Sequence, residues 1–528
     1  MNKQSMCILL AVGMSVCAAF PCWAQTERAA DSPAVVCAAL ADADFSGIDE
    51  APTQIESAQL IEPKNGLLEY CQVRGYVWPQ VGFELQLPTT GWNGKFIELG
   101  CGGSCGDLSQ AVECPTHRGY ACIASDMGHK GKVGDGLWAY NNLQAQIDFG
   151  YRGAHVAAVA GKAITEHYYG HAPKYSYFHG CSTGARQGLV EAQRFPWDFD
   201  GVIVGGVWID DTFSTMDFIW ATRALNDVDG KPLLSGADMQ MVRDAVLAKC
   251  DLDDGVKDGL IGNPLACKFD PGELRCKAGV TGRCLTDGQI DALKKVYAGP
   301  TTSKGVKLTP GGPVPGSEHA WTAYSDDPTR WTLTRWTKTW FRWMTLPPAG
   351  RGWQLADFDF DRDYKRFYNG SQESLNSDTN PDLRKFKDAG GKLMAYVGWN
   401  EWSLPRKAVD YYQTVEKTMG GRQATQDFFR LFTIPGANHC TGGEGPFAVD
   451  FLSYMEAWVE QGRRPDLMIG AHVLINDDDP MWFEKLRFPL APGTPISFTR
   501  PIYPYPLWAK YKGSGDPNRA ENFEPVGP

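Results

Sequence analysis

The sequence predicts an α/β fold in which a parallel sheet carries helices on its faces and a large insertion interrupts the chain. Strand-like and helical runs alternate between residues 83 and 204. The stretch 209–385 lacks that rhythm, and strand-like runs return at 392–397 and 428–434. Because parallel strands need long crossover connections, usually helices, the alternation indicates parallel pairing.

The first half of the predicted core ends in a β-α-β-α-β order. The apolar residues Val156, Val159 and Ile164 recur at helical spacing, which predicts a helix over 156–169. A second helix is expected at about 186–195, after a glycine-containing turn. The predicted strands are residues 83–87, 95–99, 120–125, 175–178 and 201–204.

The irregular stretch is predicted to be a unit inserted into the core. It is rich in Asp, Gly, Pro and Trp and holds four cysteines. We therefore divide the mature chain into a core over 25–208 and 386–528 and an inserted lid over 209–385. The proline-rich tail from Tyr503 is expected to be irregular.

Size and charge narrow the class of protein. With 528 residues, 43% of them hydrophobic, the chain can bury a large core. Its formal net charge of −11 makes it a poor candidate for binding nucleic acid or an anionic membrane surface. Neither kind of partner is therefore expected, and the sequence does not indicate an oligomeric state.

The first 24 residues are predicted to be a signal peptide. Lys3 supplies a positive start, residues 7–20 are apolar but too short to span a bilayer, and Ala24 ends a small-residue cleavage site. A membrane anchor and a lipid-modified Cys17 or Cys22 are the alternative interpretations. The mature protein is expected to be secreted or periplasmic.

Twelve cysteines remain after removal of the signal peptide. An even number in an exported chain indicates disulfides, whereas a zinc site is disfavoured because no C-x-x-C pair occurs. The partners of Cys101, Cys105, Cys114 and Cys122 are left open. The other cysteines expected in disulfides are Cys37, Cys71, Cys181, Cys250, Cys267, Cys276, Cys284 and Cys440.

Residues 180–184 read Gly-Cys-Ser-Thr-Gly and match the G-x-S-x-G motif. The motif follows a predicted strand and precedes a predicted helix, as a nucleophile elbow requires. The glycines permit the strained turn that lifts Ser182 above the sheet, and the helix N-terminus faces the developing oxyanion. The motif therefore predicts Ser182 as the nucleophile of an α/β-hydrolase core; an ordinary glycine-rich turn is the alternative.

A serine hydroxyl needs a base that takes its proton. In an α/β-hydrolase the order along the chain is nucleophile, acid, histidine, and the two late histidines are His439 and His472. His439 lies in a glycine-rich loop after the run 428–434, whereas His472 lies inside an apolar run that is predicted to be a strand or core segment. We therefore predict His439 as the general base.

Each of these two residues has a cysteine beside it. Cys181 precedes Ser182, and Cys440 follows His439. A disulfide between the two cysteines would hold the nucleophile loop and the base loop together. This placement is the strongest sequence support for pairing Ser182 with His439.

The Cys-Ser and His-Cys pairs resemble the tannase and feruloyl esterase family, which includes hydrolases of mono(2-hydroxyethyl) terephthalate. The resemblance runs from about residue 37 to about residue 475. It implies an α/β-hydrolase core with a lid and ester hydrolysis through an acyl-enzyme. Supporting segments are 119–129, 148–155, 381–393, 398–399 and 411–412.

The resemblance also places the catalytic acid. In the family an Asp follows a Gly-Trp-Ala segment; here residues 398–400 read Gly-Trp-Asn and Glu401 occupies the Asp position. Glutamate can stabilise an imidazolium, although its extra methylene moves the carboxylate. The residue Ala185 and the run 206–208 also depart from the family pattern. Asp410 is the alternative acid.

An oxyanion hole needs two backbone N–H groups. Thr183, directly after the nucleophile, supplies the first. The second should come from an early loop after a strand, and the run 100–103 follows the predicted strand 95–99. Gly102 and Gly103 are both candidates, and a plain glycine-rich turn is the alternative.

An acidic loop in the insertion packs four Asp into eight residues. A hard cation would relieve their mutual repulsion, and oxygen-rich loops of this kind bind calcium. The run resembles the calcium loop of the family. That resemblance implies side-chain ligands from Asp251, Asp254 and Asp258 and backbone carbonyl ligands from Val256 and Leu260. A solvated acidic turn is the alternative.

The sequence therefore predicts a secreted serine ester hydrolase of the tannase or feruloyl esterase type, acting on esters of aromatic acids. One alternative substrate is a terephthalate monoester, whose free carboxylate needs a cation such as Arg335, Arg342 or Arg351 in the lid. An alternative of another class is a calcium-stabilised binding protein that has lost catalysis. The lid tryptophans that favour an aromatic substrate are Trp331, Trp336, Trp340, Trp343 and Trp353.

Overall fold

The computed structural model describes most of the predicted mature chain. Its described ranges are 33–63, 68–132, 134–227, 229–277, 283–324, 333–371, 378–474, 488–490 and 492–528. The predicted signal peptide, residues 1–24, and the lid residue Trp331 lie outside these ranges.

A sheet of nine strands forms the centre of the molecule. Its spatial order is β1-β2-β3-β5-β4-β6-β7-β8-β9. The strands are β1 (Thr53–Ile61), β2 (Tyr70–Val77), β3 (Val81–Pro88), β4 (Lys95–Leu99), β5 (Ala121–Ser125), β6 (Tyr175–Cys181), β7 (Gly201–Gly205), β8 (Lys392–Gly398) and β9 (Phe429–Ile434).

The sheet is parallel only in part. Strands β4 to β9 pair in parallel, as predicted. In contrast, β1–β2, β2–β3 and β3–β5 pair antiparallel. The predicted parallel sheet is therefore extended by an antiparallel edge, in which the short connection between β2 and β3 forms a hairpin instead of a helical crossover.

Helices cover both faces of the parallel part. The α-helices are α1 (Pro33–Ala39), α2 (Leu143–Ile147), α3 (Gly153–Tyr169), α4 (Thr183–Arg194), α5 (Asp211–Leu225), α6 (Gly236–Cys250), α7 (Asp287–Ala298), α8 (Leu333–Thr339), α9 (Asp363–Ser371), α10 (Arg384–Asp388), α11 (Leu404–Thr418), α12 (Arg422–Gln426) and α13 (Phe451–Gln461). Helices α3 and α4 pack in one apolar cluster with Phe178 and Val202, and α13 packs in another with Tyr177 and Ile203. In the described ranges, no helix is both long enough and apolar enough to cross a membrane.

The insertion lies between β7 and β8 and contains α5 to α10. The predicted lid boundary after residue 385 falls inside α10. Trp336, Trp340 and Trp353 are buried in the main apolar cluster, and Trp343 packs against it. These four lid tryptophans therefore stabilise the insertion.

The C-terminal tail is more regular than expected. After β10 (Met468–Val473) and its antiparallel partner β11 (Ile496–Ile502), the strands β12 (Trp508–Tyr511) and β13 (Phe523–Val526) form a second antiparallel pair. The prediction of an irregular tail was wrong because Pro504 and Pro506 precede β12 without interrupting it. Aromatic contacts, including Tyr511 on Phe523 with ring centroids 5.5 Å apart, hold the pair together.

Candidate active site

Ser182 lies in a tight turn between β6 and α4. Its backbone has φ 61° and ψ −122°, a conformation that costs energy for a residue with a side chain. The turn is held because the Ser182 N–H donates to the Gly205 carbonyl at 2.9 Å. A Cβ atom on Gly180 would lie 2.6 Å from the backbone of Gly184, which explains the glycine at position 180. This geometry is that of a nucleophile elbow.

His439 and Glu401 come together at the carboxyl edge of the sheet. Glu401 follows β8, His439 follows β9, and the Glu401 Oε2 atom lies 2.6 Å from His439 Nδ1. The Glu401 side chain is fully buried, and its Oε1 atom accepts a hydrogen bond from the Gly398 N–H at 2.8 Å. A carboxylate on Nδ1 favours the tautomer in which Nε2 can act as a base.

The two alternative residues lie elsewhere. Asp410 is exposed on α11 and lines a separate cavity beside Lys407. His472 lies in β10, as predicted, and its Nδ1 atom bonds to the Gly445 carbonyl oxygen at 3.0 Å. In the described part of the chain, neither residue forms a hydrogen bond or an ion pair with His439.

A disulfide joins the nucleophile strand to the base loop. Cys181 and Cys440 are 259 residues apart in sequence and 5.8 Å apart between Cα atoms. Gly206 fits beside them: a Cβ atom there would lie 2.8 Å from Cys181 Sγ and 3.0 Å from His439 Nδ1. The absence of a side chain at position 206 therefore gives His439 its place near the elbow.

The described ranges contain six disulfides, which include all eight of the predicted cysteines and settle the four that were left open. Each links residues that the fold brings within 6 Å between Cα atoms. The pairs are Cys37–Cys71, Cys101–Cys105, Cys114–Cys122, Cys181–Cys440, Cys250–Cys267 and Cys276–Cys284.

Two further residues that sequence reasoning missed support His439. The Trp402 ring lies 4.9 Å from the His439 ring between centroids. Asn400 is buried and forms two hydrogen bonds to the base loop, both at 3.1 Å. Its backbone N–H donates to the Ala437 carbonyl, and its side-chain amide donates to the Gly436 carbonyl. Both residues flank Glu401 in sequence, but only the packing of the two loops reveals their contacts.

The two candidate oxyanion donors have different surroundings. The Gly103 carbonyl accepts a hydrogen bond from the Thr183 hydroxyl at 2.6 Å, which fixes the early loop on the start of α4. Gly102 lines the cavity next to the nucleophile. The Cys101–Cys105 disulfide closes the loop around both glycines.

A cavity of about 310 Å³ adjoins Ser182. Its described lining includes none of the three lid arginines. Arg335 and Arg351 are exposed, and Arg342 donates to the Trp353 carbonyl at 2.8 Å. The lining residues are Leu99, Gly100, Gly102, Gln110, Glu113, His179, Gly180, Cys181, Ser182, Tyr396, Cys440, Thr441, Phe447, Ala448, Val449, Phe451 and Phe488.

The predicted calcium loop folds around its own carboxylates. Asp251 accepts from the Gly259 N–H, Asp254 from the Val256 N–H, and Asp258 from the Leu260 N–H, each at 3.1 Å. These bonds turn the loop so that its three carboxylates share one region.

The donor chemistry of this loop fits a hard cation. Burial, together with the nearby charges of Asp258 and Asp251, raises the pKa of Asp254 to about 7. Arg500 binds Asp258 Oδ2 at 2.6 Å and neutralises part of the charge. Within the described residues the three carboxylates do not gather to within 4.8 Å of one another. Backbone carbonyls, such as those of Val256 and Leu260, would have to complete a coordination shell.

One group in the described part of the chain does gather three metal-type ligand atoms within 4.8 Å: His155, Glu191 and Asp198. However, His155 Nδ1 already bonds to Asp198 Oδ2 at 2.5 Å, and its Nε2 bonds to Glu50 at 2.8 Å. Two ligands of one tetrahedral zinc ion lie about 3.3 Å apart. The group is therefore a hydrogen-bonded buried cluster.

Comparisons with known proteins agree over the core and the insertion. A family model described as tannase and feruloyl esterase matches residues 67–526. The chain is 31% identical to mono(2-hydroxyethyl) terephthalate hydrolase of Piscinibacter sakaiensis over 91% of this chain and 87% of that protein. It is 32% identical to a probable feruloyl esterase of Arthroderma benhamiae, over 82% and 80% of the two chains. The solved structure of feruloyl esterase B from Aspergillus oryzae is similar, with a TM-score of 0.80 at 25% identity, over 94% of this chain and 100% of that chain. The predicted α/β-hydrolase fold is confirmed.

Proposed function

Because this chain belongs to the tannase and feruloyl esterase family and is a carboxylic ester hydrolase, we propose that it transfers the acyl group of its substrate to Ser182. His439 is the general base, and Glu401 orients and stabilises its imidazolium. The observation that carries this assignment is the 2.6 Å contact between Glu401 and His439 on a loop that a disulfide ties to the residue before Ser182.

The reaction has two steps. His439 Nε2 takes the Ser182 proton as the serine oxygen attacks the ester carbonyl, and the tetrahedral oxyanion accepts hydrogen bonds from the N–H groups of Thr183 and Gly102. His439 then gives its proton to the leaving alcohol, which departs and leaves an acyl-enzyme. Water, deprotonated by His439, attacks that ester, and Ser182 regains its proton as the acid is released.

The proposed substrate is a small ester of an aromatic acid. The similarity to proteins named as feruloyl esterases supports this class. The similarity to mono(2-hydroxyethyl) terephthalate hydrolase makes a terephthalate monoester the second candidate. Export from the cytoplasm is also proposed, because six disulfides need an oxidising compartment.

Calcium is proposed as a structural ion at the acidic loop. The side chains of Asp251, Asp254 and Asp258 and the carbonyls of Val256 and Leu260 would hold it. A divalent cation there offsets the repulsion between the carboxylates. The loop lies in the insertion, so the ion would stabilise the lid and leave the acyl transfer to the serine site.

Covalent labelling tests the nucleophile. An active-site-directed phosphonate should attach to Ser182, as judged by peptide mass spectrometry, and the Ser182→Ala protein should not be labelled. The variant should also lose several orders of magnitude in hydrolysis of methyl ferulate, methyl gallate or a terephthalate monoester. Normal turnover by folded Ser182→Ala would refute the assignment, and an unlabelled wild-type protein would favour a binding protein that has lost catalysis.

A further inference from the structure

The loop over residues 100–105 lies against α4, the helix that begins directly after Ser182. A Cβ atom on Gly100 would lie 2.8 Å from the Gly184 Cα atom, so the backbones of the loop and the helix are in direct contact. In the described ranges the Gly102 N–H donates to no residue, and Gly102 lines the cavity beside Ser182. Whether this donor can serve the nucleophile therefore depends on what fixes the loop relative to α4.

Gln187, a buried residue of α4, holds both ends of this loop. Its Oε1 atom accepts a hydrogen bond from the Cys101 N–H at 3.2 Å. Its Nε2 atom donates to the sulfur atoms of the disulfide, at 3.0 Å from Cys101 Sγ and 3.4 Å from Cys105 Sγ. Sulfur is a weak acceptor, so the bond to the backbone is the stronger of these contacts. One side chain of the nucleophile helix thus contacts the first and last residues of the loop.

Thr183 makes a second contact between α4 and the loop. Its hydroxyl donates to the Gly103 carbonyl at 2.6 Å. Because Thr183 and Gln187 are four residues apart on a helix, their side chains lie on the same face. The same helix therefore carries the Thr183 N–H, which is one proposed oxyanion donor, and two side chains that hold the loop of the other donor, Gly102.

His129 holds the loop from outside α4. Its Nε2 atom lies 2.7 Å from the Ser104 carbonyl oxygen, whereas its Nδ1 atom lies 3.3 Å from the Met127 carbonyl oxygen. Burial lowers the pKa of His129 to about 4, so the ring is neutral at neutral pH and donates through one nitrogen. The ring also stacks on Trp138 at 3.7 Å between centroids. Loss of one contact with α4 should therefore shift the loop without unfolding it.

We propose that the Gln187 side chain and the Thr183 hydroxyl position the oxyanion hole by fixing the Gly102 N–H relative to the Thr183 N–H. Gln187 is a positioning residue, because it acts through the loop. This inference rests on the proposed roles of Ser182 and Gly102. The two donors must converge on an oxygen that becomes charged only in the transition state. Loss of either contact should therefore lower kcat and leave KM nearly unchanged.

The test removes each contact and leaves the backbone donors in place. Values of kcat and KM are measured at 25 °C with 4-nitrophenyl butyrate. Gln187→Met and Thr183→Val should each lower kcat about 10- to 100-fold, the range expected for a displaced donor. Thr183→Ser keeps the hydroxyl and should restore kcat to within about threefold of wild type. The matched control is Gln193→Met, since the Gln193 amide is also on α4 but donates to the Asp378 carbonyl and the Tyr411 hydroxyl. Its kcat should equal that of wild type.

A transition-state analogue separates positioning from a general loss of structure. Ser182 adds to the carbonyl carbon of a trifluoromethyl ketone and gives its proton to His439, so the ketone oxygen becomes a tetrahedral oxyanion. The inhibition constant of this ketone should rise in Gln187→Met and Thr183→Val by the factor by which kcat/KM falls. A residue that only stabilises the fold would lower the melting temperature and leave both values at 25 °C unchanged.

The outcomes distinguish this inference from the proposed function. Wild-type kcat and inhibition constants in both Gln187→Met and Thr183→Val, with wild-type Ser182 labelled by the phosphonate, would overturn the positioning role alone. An equal loss in Gln193→Met would also overturn it, because the effect would then belong to α4 as a whole. If wild type is neither labelled by the phosphonate nor inhibited by the ketone, the proposed function fails instead. Should Gln187→Met not fold, the comparison of Thr183→Val with Thr183→Ser decides the matter.

Discussion

Removing the Cys181–Cys440 disulfide should separate its effect on stability from its effect on catalysis. The bond closes a loop of 259 residues. In the chain-entropy model such a loop stabilises the folded state by about 5.5 kcal/mol at 25 °C. For a chain of this size the entropy of unfolding is about 1 kcal/mol per kelvin, so the Cys181→Ala/Cys440→Ala protein should melt about 5 °C lower.

The expected catalytic effect is larger than the thermal shift suggests. Asn400 holds the base loop to the acid loop through two hydrogen bonds of 3.1 Å. These bonds hold His439 next to Glu401, but they do not fix the distance between His439 and Ser182. A displacement of about 1 Å between nucleophile and base can cost ~100-fold in rate. We therefore expect kcat to fall about 100-fold at 25 °C with KM little changed.

The assay is a pair of measurements on a matched pair of variants. Melting is followed by calorimetry, and kcat and KM are measured at 25 °C for the double variant and for Cys276→Ala/Cys284→Ala. The control removes a disulfide that closes only eight residues in the insertion, so its kcat should be unchanged. A folded Cys181→Ala/Cys440→Ala protein with kcat within twofold of wild type would refute the positioning role.

Three other changes test the acid, the metal and a buried carboxyl. Glu401→Gln should lower kcat by about 10³- to 10⁴-fold, because the uncharged amide cannot stabilise the imidazolium. Asp410→Asn should leave kcat within twofold of wild type, and the reverse ranking would identify Asp410 as the acid. Chelation should lower the melting temperature of wild type, whereas Asp254→Ala should melt at the same temperature with and without calcium. If neither chelator nor added calcium changes the melting temperature of wild type, the loop does not bind calcium. Burial raises the pKa of Asp378 to about 8, so this carboxyl favours the folded state at pH 4 and loses that contribution as the pH rises to 8. Asp378→Asn, which can still accept the Asp210 N–H, should therefore raise the melting temperature at pH 8 and not at pH 4; identical profiles would contradict the raised pKa.

The sequence predicted the interior of the sheet better than its edge. Strands β4 and β6 to β9 are short and mostly buried, so their apolar runs stand out between turn residues. Strand β1 carries polar residues and is half-exposed, with only Thr53 and Ile55 buried. Such a strand has a weak apolar pattern because solvent replaces the core on much of its surface.

The same limit applies to the site. Ser182 and His439 could be predicted because a motif and two cysteines mark them in the chain. Trp402 and Asn400 could not, because their roles depend on how two loops meet. In the sequence, His179 is one residue of the predicted strand region and has no distinguishing motif. Only the arrangement of β6 and its neighbouring strands shows that it lines a cavity next to Ser182.

The glutamate at the acid position is accommodated by the loop that carries it. Its side chain reaches His439 with Oε2 at 2.6 Å while Oε1 is held by the Gly398 N–H, three residues earlier in the chain. The longer side chain therefore folds back on its own loop, and both oxygens are fixed by hydrogen bonds. A Cβ atom on Gly398 would lie 2.2 Å from the Ala437 carbonyl oxygen, so this close approach of the acid and base loops depends on glycine at 398. The loop that carries Glu401 thus accommodates the extra methylene, and glutamate in place of the family's aspartate still contacts His439.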